Sequence, residues 1–323
     1  MNTSCLSRLQ CPTCHAALSF AGKSSDTELL DGALTCGDGH MFPVQGGIPD
    51  FATPQGAVRD GSAGQRTDSV DSFGFEWQWD HTPRTEEDLE FRVFAKPGIP
   101  KDFFQGKLVL DLGCGAGLQT QMMARHGATV IGVDLSEAVR SAYRNTEALR
   151  DRVCIIRGDV FRLPFAEGTF DYVYCEGVLQ HTKDPKAAFY ALVRLVKPGG
   201  QIFGTFYTRR EGWFAPFLLL RQPLRWVLSR LPKRWCWYIC WLSVPLNRVP
   251  VLKYVFRKTI VLYDPRNTSN KGIWCLNYDF YGPHQYQSYY RPSEITAMWD
   301  GAPRPLTIMH TEHGYPLRGR AHG

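Results

Sequence analysis

The chain has 323 residues, 44% of them hydrophobic and 21% charged, with a net charge of +6, which gives material for a sizeable core and about two domains. The first residues, MNTSCLSRLQCPTCH, hold no apolar stretch of the kind a signal peptide needs. Ten cysteines without such a signal point to a reducing, cytoplasmic setting in which metal ligation or burial outranks disulfides.

In chain order, Cys11-Pro12-Thr13-Cys14 and Cys36-Gly37-Asp38-Gly39-His40 form a C-x2-C and a C-x3-H knuckle. Cys11, Cys14, Cys36 and His40 offer four soft or borderline ligands, the set for a closed tetrahedral Zn2+ site with no open position, hence a structural one. The chain between the knuckles is short and polar, so metal would supply its stability. A ribbon that has lost its metal is the alternative; Cys5 and His15 complete no knuckle. Residues 1–52 are therefore the first domain. Residues 53–69, rich in Gly, Ser, Asp and Gln, read as a flexible linker. The aromatic cluster Phe73-Gly74-Phe75-Glu76-Trp77-Gln78-Trp79 follows, then a helix-like run over 86–95. Residues 53–103 thus form linker and helical flap.

The segment beginning at Lys107 is the most informative. Leu108, Val109 and Leu110 end in Asp111, and Gly113, Gly115 and Gly117 follow at alternate positions before a helical pattern. This reads as strand, tight glycine turn and helix N-terminus, the first half of a nucleotide-binding α/β unit. The spacing is not that of a dinucleotide fingerprint. Asp111 beside the turn would repel a pyrophosphate and suit a ligand with an ammonium group and a ribose, a description of S-adenosylmethionine. A second apolar strand over 128–133 ends at Asp134, about twenty residues after the turn, as for an acid that accepts ribose hydroxyls. Further strands are predicted over 152–157, before Gly158-Asp159-Val160; over 170–175, running into Glu176-Gly177-Val178-Leu179-Gln180-His181; and over 201–206, after the turn Lys197-Pro198-Gly199-Gly200.

Five motifs in this order resemble the class I S-adenosylmethionine-dependent methyltransferases over roughly residues 105–207. The resemblance implies that Asp111, Gly113, Gly115, Gly117, Asp134, Asp159, Val160 and Glu176 form the cofactor site. Asp159 would meet the adenine amino group and Val160 would pack on the ring. It also implies that an F-x-x-x-W element within 73–79 belongs to a flap over the cofactor, although these aromatics could equally only pack the flap down. Arg92 and Lys96 could reach the methionine carboxylate. The N-terminal ribbon resembles small zinc ribbons fused to, or partnered with, methyltransferases. The implied fold is α/β: a Rossmann-like seven-stranded methyltransferase sheet with a small N-terminal zinc ribbon and a helical insertion, its cofactor-binding core at 104–208.

Residues 209–258 carry eleven Lys and Arg against a single acid, Glu211, a local charge of +10 that leaves −4 for the rest of the chain. Five of nine tryptophans lie here: Trp213, Trp226, Trp235, Trp237 and Trp241. The apolar runs are too short to span a bilayer. Three readings of the 209–275 insertion stay open: a lid over the acceptor pocket, helices on an anionic membrane surface at the inner face of the membrane, or an RNA-binding patch.

The place after the fourth strand holds Cys175-Glu176-Gly177-Val178 where enzymes acting on base amines carry (D/N)-P-P-(Y/F). The run V-L-Q-H-T-K-D-P is similar to the V-L-H-H-x-x-D-P of small-molecule enzymes. His181 is the general-base candidate, since imidazole titrates near neutrality; capping or packing the next helix is its other reading. In the 276–323 segment, Tyr278, His284 and Tyr290 would line the acceptor side, as in a subgroup of bacterial methyltransferases tied to glycan and natural-product pathways. A helix is predicted from Ser293-Glu294, with short strands over 306–310 and 315–318 closing the sheet. The sequence thus expects methyl transfer to a small-molecule or lipid- or glycan-linked acceptor. The alternatives are an rRNA or tRNA methyltransferase, or a cofactor-binding scaffold whose ribbon binds a partner.

Overall fold

The computed structural model describes residues 1–25, 27–52, 85–209, 221–263, 269–284, 286–309 and 315–322. The predicted linker at 53–69, the aromatic cluster at 73–79, Trp213 and His310 lie outside the described residues. The described parts of Met1–Ala63, Leu89–Tyr207 and Ser288–Gly323 form one compact unit, and those of Gly64–Asp88 and Thr208–Gln287 a second.

The first unit starts with a helical turn, α1 (Thr3–Leu6), and an antiparallel sheet of β1 (Leu18–Ser24), β2 (Leu29–Cys36), β3 (Met41–Gln45) and β4 (Ile48–Pro49), paired in chain order. Gly22 and Gly32 face each other across β1 and β2, and a Cβ on Gly22 would stand 2.6 Å from the Gly32 Cα. This close approach fixes glycine on both strands.

The ribbon and the central sheet share one continuous apolar core. Leu9, Leu34, Phe42 and Phe51 belong to the same buried cluster as Leu110, Ile131 and Ile156. Phe51 N–H donates to the Arg157 carbonyl at 2.8 Å, and the Arg157 guanidinium lies 3.0 Å from the Asp50 carboxylate. Gln10 N–H donates to the Pro164 carbonyl at 2.9 Å. Short polar strands that could not enclose a core alone therefore borrow one from the sheet.

The run over 86–95 is α2 (Glu86–Glu90) continuing into a π-helical turn, Phe91–Ala95, closed by Lys96 N–H donating to the Phe91 carbonyl at 2.7 Å. The central sheet contains β5 (Leu108–Leu112), β6 (Thr129–Asp134), β7 (Val153–Arg157), β8 (Phe170–Cys175) and β9 (Val196–Gly204), which are mutually parallel. The consecutive buried residues Val109 and Leu110 in β5, Val130 and Ile131 in β6, and Ile155 and Ile156 in β7 mark strands covered on both faces. Helices α3 (Leu118–Arg125), α4 (Val139–Asn145) and α5 (Pro185–Leu195) connect them. Asp184 caps α5 by accepting from Ala187 N–H at 2.9 Å, with Pro185 in the first turn.

β9 begins at Val196, five residues before the predicted start. Phe170 pairs with Val196 and Tyr172 with Gln201, so the predicted turn Lys197-Pro198-Gly199-Gly200 survives as a bulge inside the strand. β10 (Tyr207–Thr208) follows.

The second unit is helical: α6 (Arg221–Leu228), α7 (Lys233–Trp241), α8 (Ser243–Arg248), α9 (Pro250–Thr259) and α10 (Asn270–Tyr281). Its core gathers Leu228, Cys236, Trp237, Cys240, Tyr278 and Tyr281. No described helix is long and apolar enough to cross a membrane.

The chain returns to the first unit with β11 (Tyr289–Tyr290), α11 (Pro292–Asp300), β12 (Leu306–Met309) and β13 (Arg318–Ala321). Glu294 accepts from Arg291 N–H at 2.6 Å at the start of α11. The seven-stranded sheet has the order β12-β13-β9-β8-β5-β6-β7, with β13 antiparallel to both neighbours. The last strand lies three residues beyond its predicted start, on Arg-Gly-Arg-Ala. Pairing with Ile202 and Phe203 defines it, and Gly319 is required because a Cβ there would stand 2.8 Å from the Trp299 ring.

Candidate cofactor site and metal centre

Three acids stand at or just beyond the carboxyl ends of three neighbouring parallel strands: Asp111 on β5, Asp134 on β6 and Asp159 after β7. β5 lies where the strand order reverses, with β6 and β7 on one side and β8 and β9 on the other. That is the crevice in which open α/β sheets bind ligands.

Between β5 and α3 the chain turns on Gly113, Gly115 and Gly117, with φ of 74°, 52° and 78°. A Cβ on Gly113 would stand 2.0 Å from Val178 Cγ2, so this turn both demands the left-handed region and leaves no room for a side chain. The amides of Gly113 and Cys114 donate to the Val133 carbonyl at 2.7 and 3.1 Å, tying the turn to β6.

The turn also positions Asp134. One carboxylate oxygen accepts from Gly115 N–H at 2.9 Å; the other accepts from the Ser136 amide and hydroxyl at 2.8 and 2.7 Å. Asp159 caps a short helical turn by accepting from Phe161 N–H at 3.0 Å, beside the buried Val160.

Asp111 is 2% exposed and accepts from the Thr120 hydroxyl at 2.5 Å. Burial pushes its carboxyl up to about 7, Asp134 and Glu176 push the same way, and the Thr120 hydroxyl works against them. A group held at this point is neutral or ionised according to what binds beside it.

Arg92 and Lys96, one turn apart on the π-helical segment, meet at Glu176: Arg92 Nη1 lies 3.3 Å and Lys96 Nζ 2.5 Å from its Oε1. The Tyr174 hydroxyl donates to the other oxygen at 2.8 Å. Burial opposes ionisation of Glu176, but Lys96, Arg92 and Tyr174 hold its carboxyl down at about 2. Two cations against one carboxylate leave a local surplus of one positive charge, suited to an anionic end of a ligand.

His181 ends a short helical turn after β8. Its Nε2 lies 3.4 Å from the Tyr207 hydroxyl, and the two rings stand edge to face at 5.4 Å. Tyr290 packs edge-on to Phe206 at 5.8 Å in the same unit, and burial raises its hydroxyl above the ordinary range. Tyr278 and His284 belong to the second unit. Tyr278 is fully buried with its ring against Trp237 at 5.0 Å, and His284, 7% exposed, faces it at 6.3 Å.

Gln180 is the residue that the sequence reading passed over. Its side chain is wholly buried, and neither its amide nitrogen nor its oxygen has a hydrogen-bond partner among the described residues. Leaving an amide dry costs on the order of 1–3 kcal/mol. The clue was the glutamine in V-L-Q-H where the similar motif has a histidine.

In the ribbon, one donor atom from each of Cys11, Cys14, Cys36 and His40 lies within 4.8 Å of every other. Cys14 Sγ is 3.5 Å from Cys36 Sγ, and His40 Nδ1 is 3.3 Å from Cys36 Sγ and 3.6 Å from Cys11 Sγ. Ligands about 2.0–2.3 Å from a tetrahedral ion are separated by roughly these distances. The donor set and spacing thus fit zinc, which would cross-link the two knuckles.

Comparison with known proteins adds to this geometry. The family described as "Methyltransferase domain" matches residues 110–204. The chain is 42% identical over 131 residues to the "Ubiquinone biosynthesis O-methyltransferase" of Pseudomonas paraeruginosa, covering 40% of this chain and 55% of that protein. It is 36% identical over 131 residues to the protein of the same name from Pseudomonas entomophila, with the same coverage. The chain thus spans about half the length of these curated relatives. A crystal structure described as a methyltransferase from Bacillus halodurans C-125 overlaps 69% of this chain and 71% of its own, with a TM-score of 0.43 and 16% identity. The seven-stranded sheet and its helices form a Rossmann-like methyltransferase fold.

Proposed function

We propose that the protein transfers the methyl group of S-adenosylmethionine to a hydroxyl of a small-molecule or lipid- or glycan-linked acceptor. The observation that carries this reading is the placement of Asp111, Asp134 and Asp159 around one glycine turn at the strand-order reversal. In this reading Asp134 accepts the ribose hydroxyls with its remaining lone pairs, Asp159 meets the adenine amino group, and Asp111 faces the ammonium. Arg92 and Lys96, joined at Glu176, hold the methionine carboxylate.

The name shared by the Pseudomonas relatives supports an oxygen acceptor of the kind found in ubiquinone precursors. The cofactor supplies an already activated methyl group. The protein's share is to hold the acceptor oxygen in line with it, exclude water and take up one proton. His181 is the base in this proposal, and the Tyr207 hydroxyl beside it orients its ring. Zinc, far from being required for this step, serves to hold the ribbon together.

The test is methyl transfer from labelled cofactor to hydroxyl-bearing ubiquinone precursors, alongside calorimetric cofactor binding. Asp134→Ala should weaken cofactor binding by about 1.5–3 kcal/mol, the worth of hydrogen bonds to a charged acceptor. His181→Gln should lower kcat on the order of 10²–10⁴-fold at unchanged cofactor affinity. Unchanged turnover in His181→Gln would remove the base assignment, and a parent protein that does not bind the cofactor would remove the whole reading.

A further inference from the structure

The second unit is unusual in where it puts its apolar side chains. Of the fourteen large hydrophobic residues exposed among the described residues, twelve fall between Trp226 and Val255. In α7, Cys236, Trp237 and Cys240 face the unit's core. Trp235, Tyr238, Ile239 and Leu242, at positions i, i+3, i+4 and i+7, form a second stripe on the opposite side. Trp235 is 64% and Tyr238 63% exposed. α9 repeats the pattern with Val251 (75% exposed), Tyr254 (68%) and Val255 (52%) at i, i+3 and i+4. A helix apolar on both faces is ordinarily buried on both. Patches this large on a soluble chain mark a surface that meets something.

The charges say what it meets. Residues 221–263 contain nine Lys and Arg and not one Asp or Glu. Arg230, Arg234, Arg248 and Lys253 are exposed beside the apolar stripes. The Arg230 guanidinium lies over the Trp226 ring at 4.0 Å, so cation and aromatic present together. Trp, Tyr and Arg are also at home in protein interfaces, but a second copy of this chain would bring the same unbalanced positive charge against itself, which disfavours it. Single-stranded nucleic acid would use the aromatic rings and the cations, but Val251, Val255, Ile239 and Leu242 offer no base-stacking face. A bilayer surface uses all three kinds of group: cations at the headgroups, Trp and Tyr at the boundary, and aliphatic side chains in the upper acyl region.

We propose that the faces of α7 and α9 carrying Trp235, Tyr238, Val251 and Tyr254 dock the protein on an anionic phospholipid surface, lying in the interface without spanning it. The proposal stands apart from methyl transfer, because binding to vesicles is read without turnover. Each helix is too short to cross a bilayer, which leaves the in-plane mode.

The test is co-sedimentation of the full chain with vesicles made of phosphatidylcholine and phosphatidylglycerol in equal parts, and with vesicles of phosphatidylcholine alone. At low salt the parent should pellet with the mixed vesicles and partition at least about tenfold less onto the neutral ones, with steep release as salt rises. Arg230→Glu, Arg234→Glu and Lys253→Glu together should cut partitioning on the order of 100-fold. Trp235→Ser, Tyr238→Ser and Tyr254→Ser together should cut it even at low salt, where charge alone would still attract. All these positions are exposed, and an unchanged thermal unfolding midpoint confirms that each variant is folded. A parent that stays in the supernatant with anionic vesicles at low salt overturns the proposal. So does displacement from those vesicles by a second copy, seen as a dimer that the serine variant abolishes, or by oligouridine at equal phosphate.

Discussion

The two units handle apolar surface in opposite ways. In the first, the strands bury Val109, Leu110, Val130, Ile131, Val153 and Ile156 almost completely, and the polar groups that matter are held at strand ends. In the second, Trp237, Cys236 and Tyr278 make a small core while Trp235, Tyr238, Val251 and Tyr254 face outward. One unit spends its apolar residues on packing, and through packing on fixing Asp111, Asp134 and Glu176. The other keeps twelve large ones, between Trp226 and Val255, at the surface among cations. Apolar side chains therefore report burial in one region and exposure among cations in the other.

The contrast is broken most severely at the ribbon. Because the ribbon shares its core with the sheet, losing the metal should not stay local. Cys14→Ser, or removal of zinc by chelation, should withdraw on the order of 10 kcal/mol from the ribbon. It should also lower the unfolding temperature of the sheet in the same transition, followed by calorimetry and by amide exchange on β7. A ribbon that melts alone while β7 keeps its protection would show that the shared core is not cooperative.

A smaller effect is expected inside the site. Glu176 has its carboxyl depressed from 4.5 to about 2, a contribution of about 3 kcal/mol to folding. The sign follows from the depression. This stability is complete above the unfolded value near 4.5 and is lost as pH falls through the folded value. Glu176→Gln should remove it at neutral pH and flatten the acid limb of the stability curve, as measured by urea unfolding from neutral to acid pH. An unaltered acid limb would mean that another carboxylate carries it.

The least effect is expected on the outward face of the second unit. Trp235→Ser should change folding stability by no more than about 0.5 kcal/mol, since the side chain leaves little packing behind. A loss several times larger, measured by the same urea unfolding, would mean that Trp235 is covered in solution.

Much of the first unit was legible because its physics is local. The alternate glycines, the acid at the end of an apolar run and the knuckle spacing each have a reason that needs no tertiary context. What escaped depends on partners distant in sequence. Arg92 and Lys96 could be suspected as cofactor ligands, but nothing in residues 86–96 foretells the π-helical turn that brings both to Glu176. Gln180 reads as an ordinary polar residue until its amide is seen to be buried. The last strand, Arg-Gly-Arg-Ala, has no alternation to betray it and exists because β9 offers an edge. In the second unit the charge and tryptophan content were plain, whereas which face of each helix looks outward was not. Tyr278, expected on the acceptor side from its motif, lies in that unit's core because α10 packs it against Trp237.

The central claim is that the turn after β5 binds S-adenosylmethionine with Asp111 beside its positive charge. Burial holds the Asp111 carboxyl at about 7. Below that pH it is protonated and must give up its proton to meet a cation; above it the carboxylate is already formed. The direct measurement is calorimetric titration of the cofactor on both sides of that pH, in buffers of differing ionisation enthalpy. The account predicts binding that tightens as pH rises through the region of about 7, proton release at the acid end, and loss of both effects in Asp111→Asn. No binding, or an affinity equal on both sides of that pH and unaltered by Asp111→Asn, would contradict it.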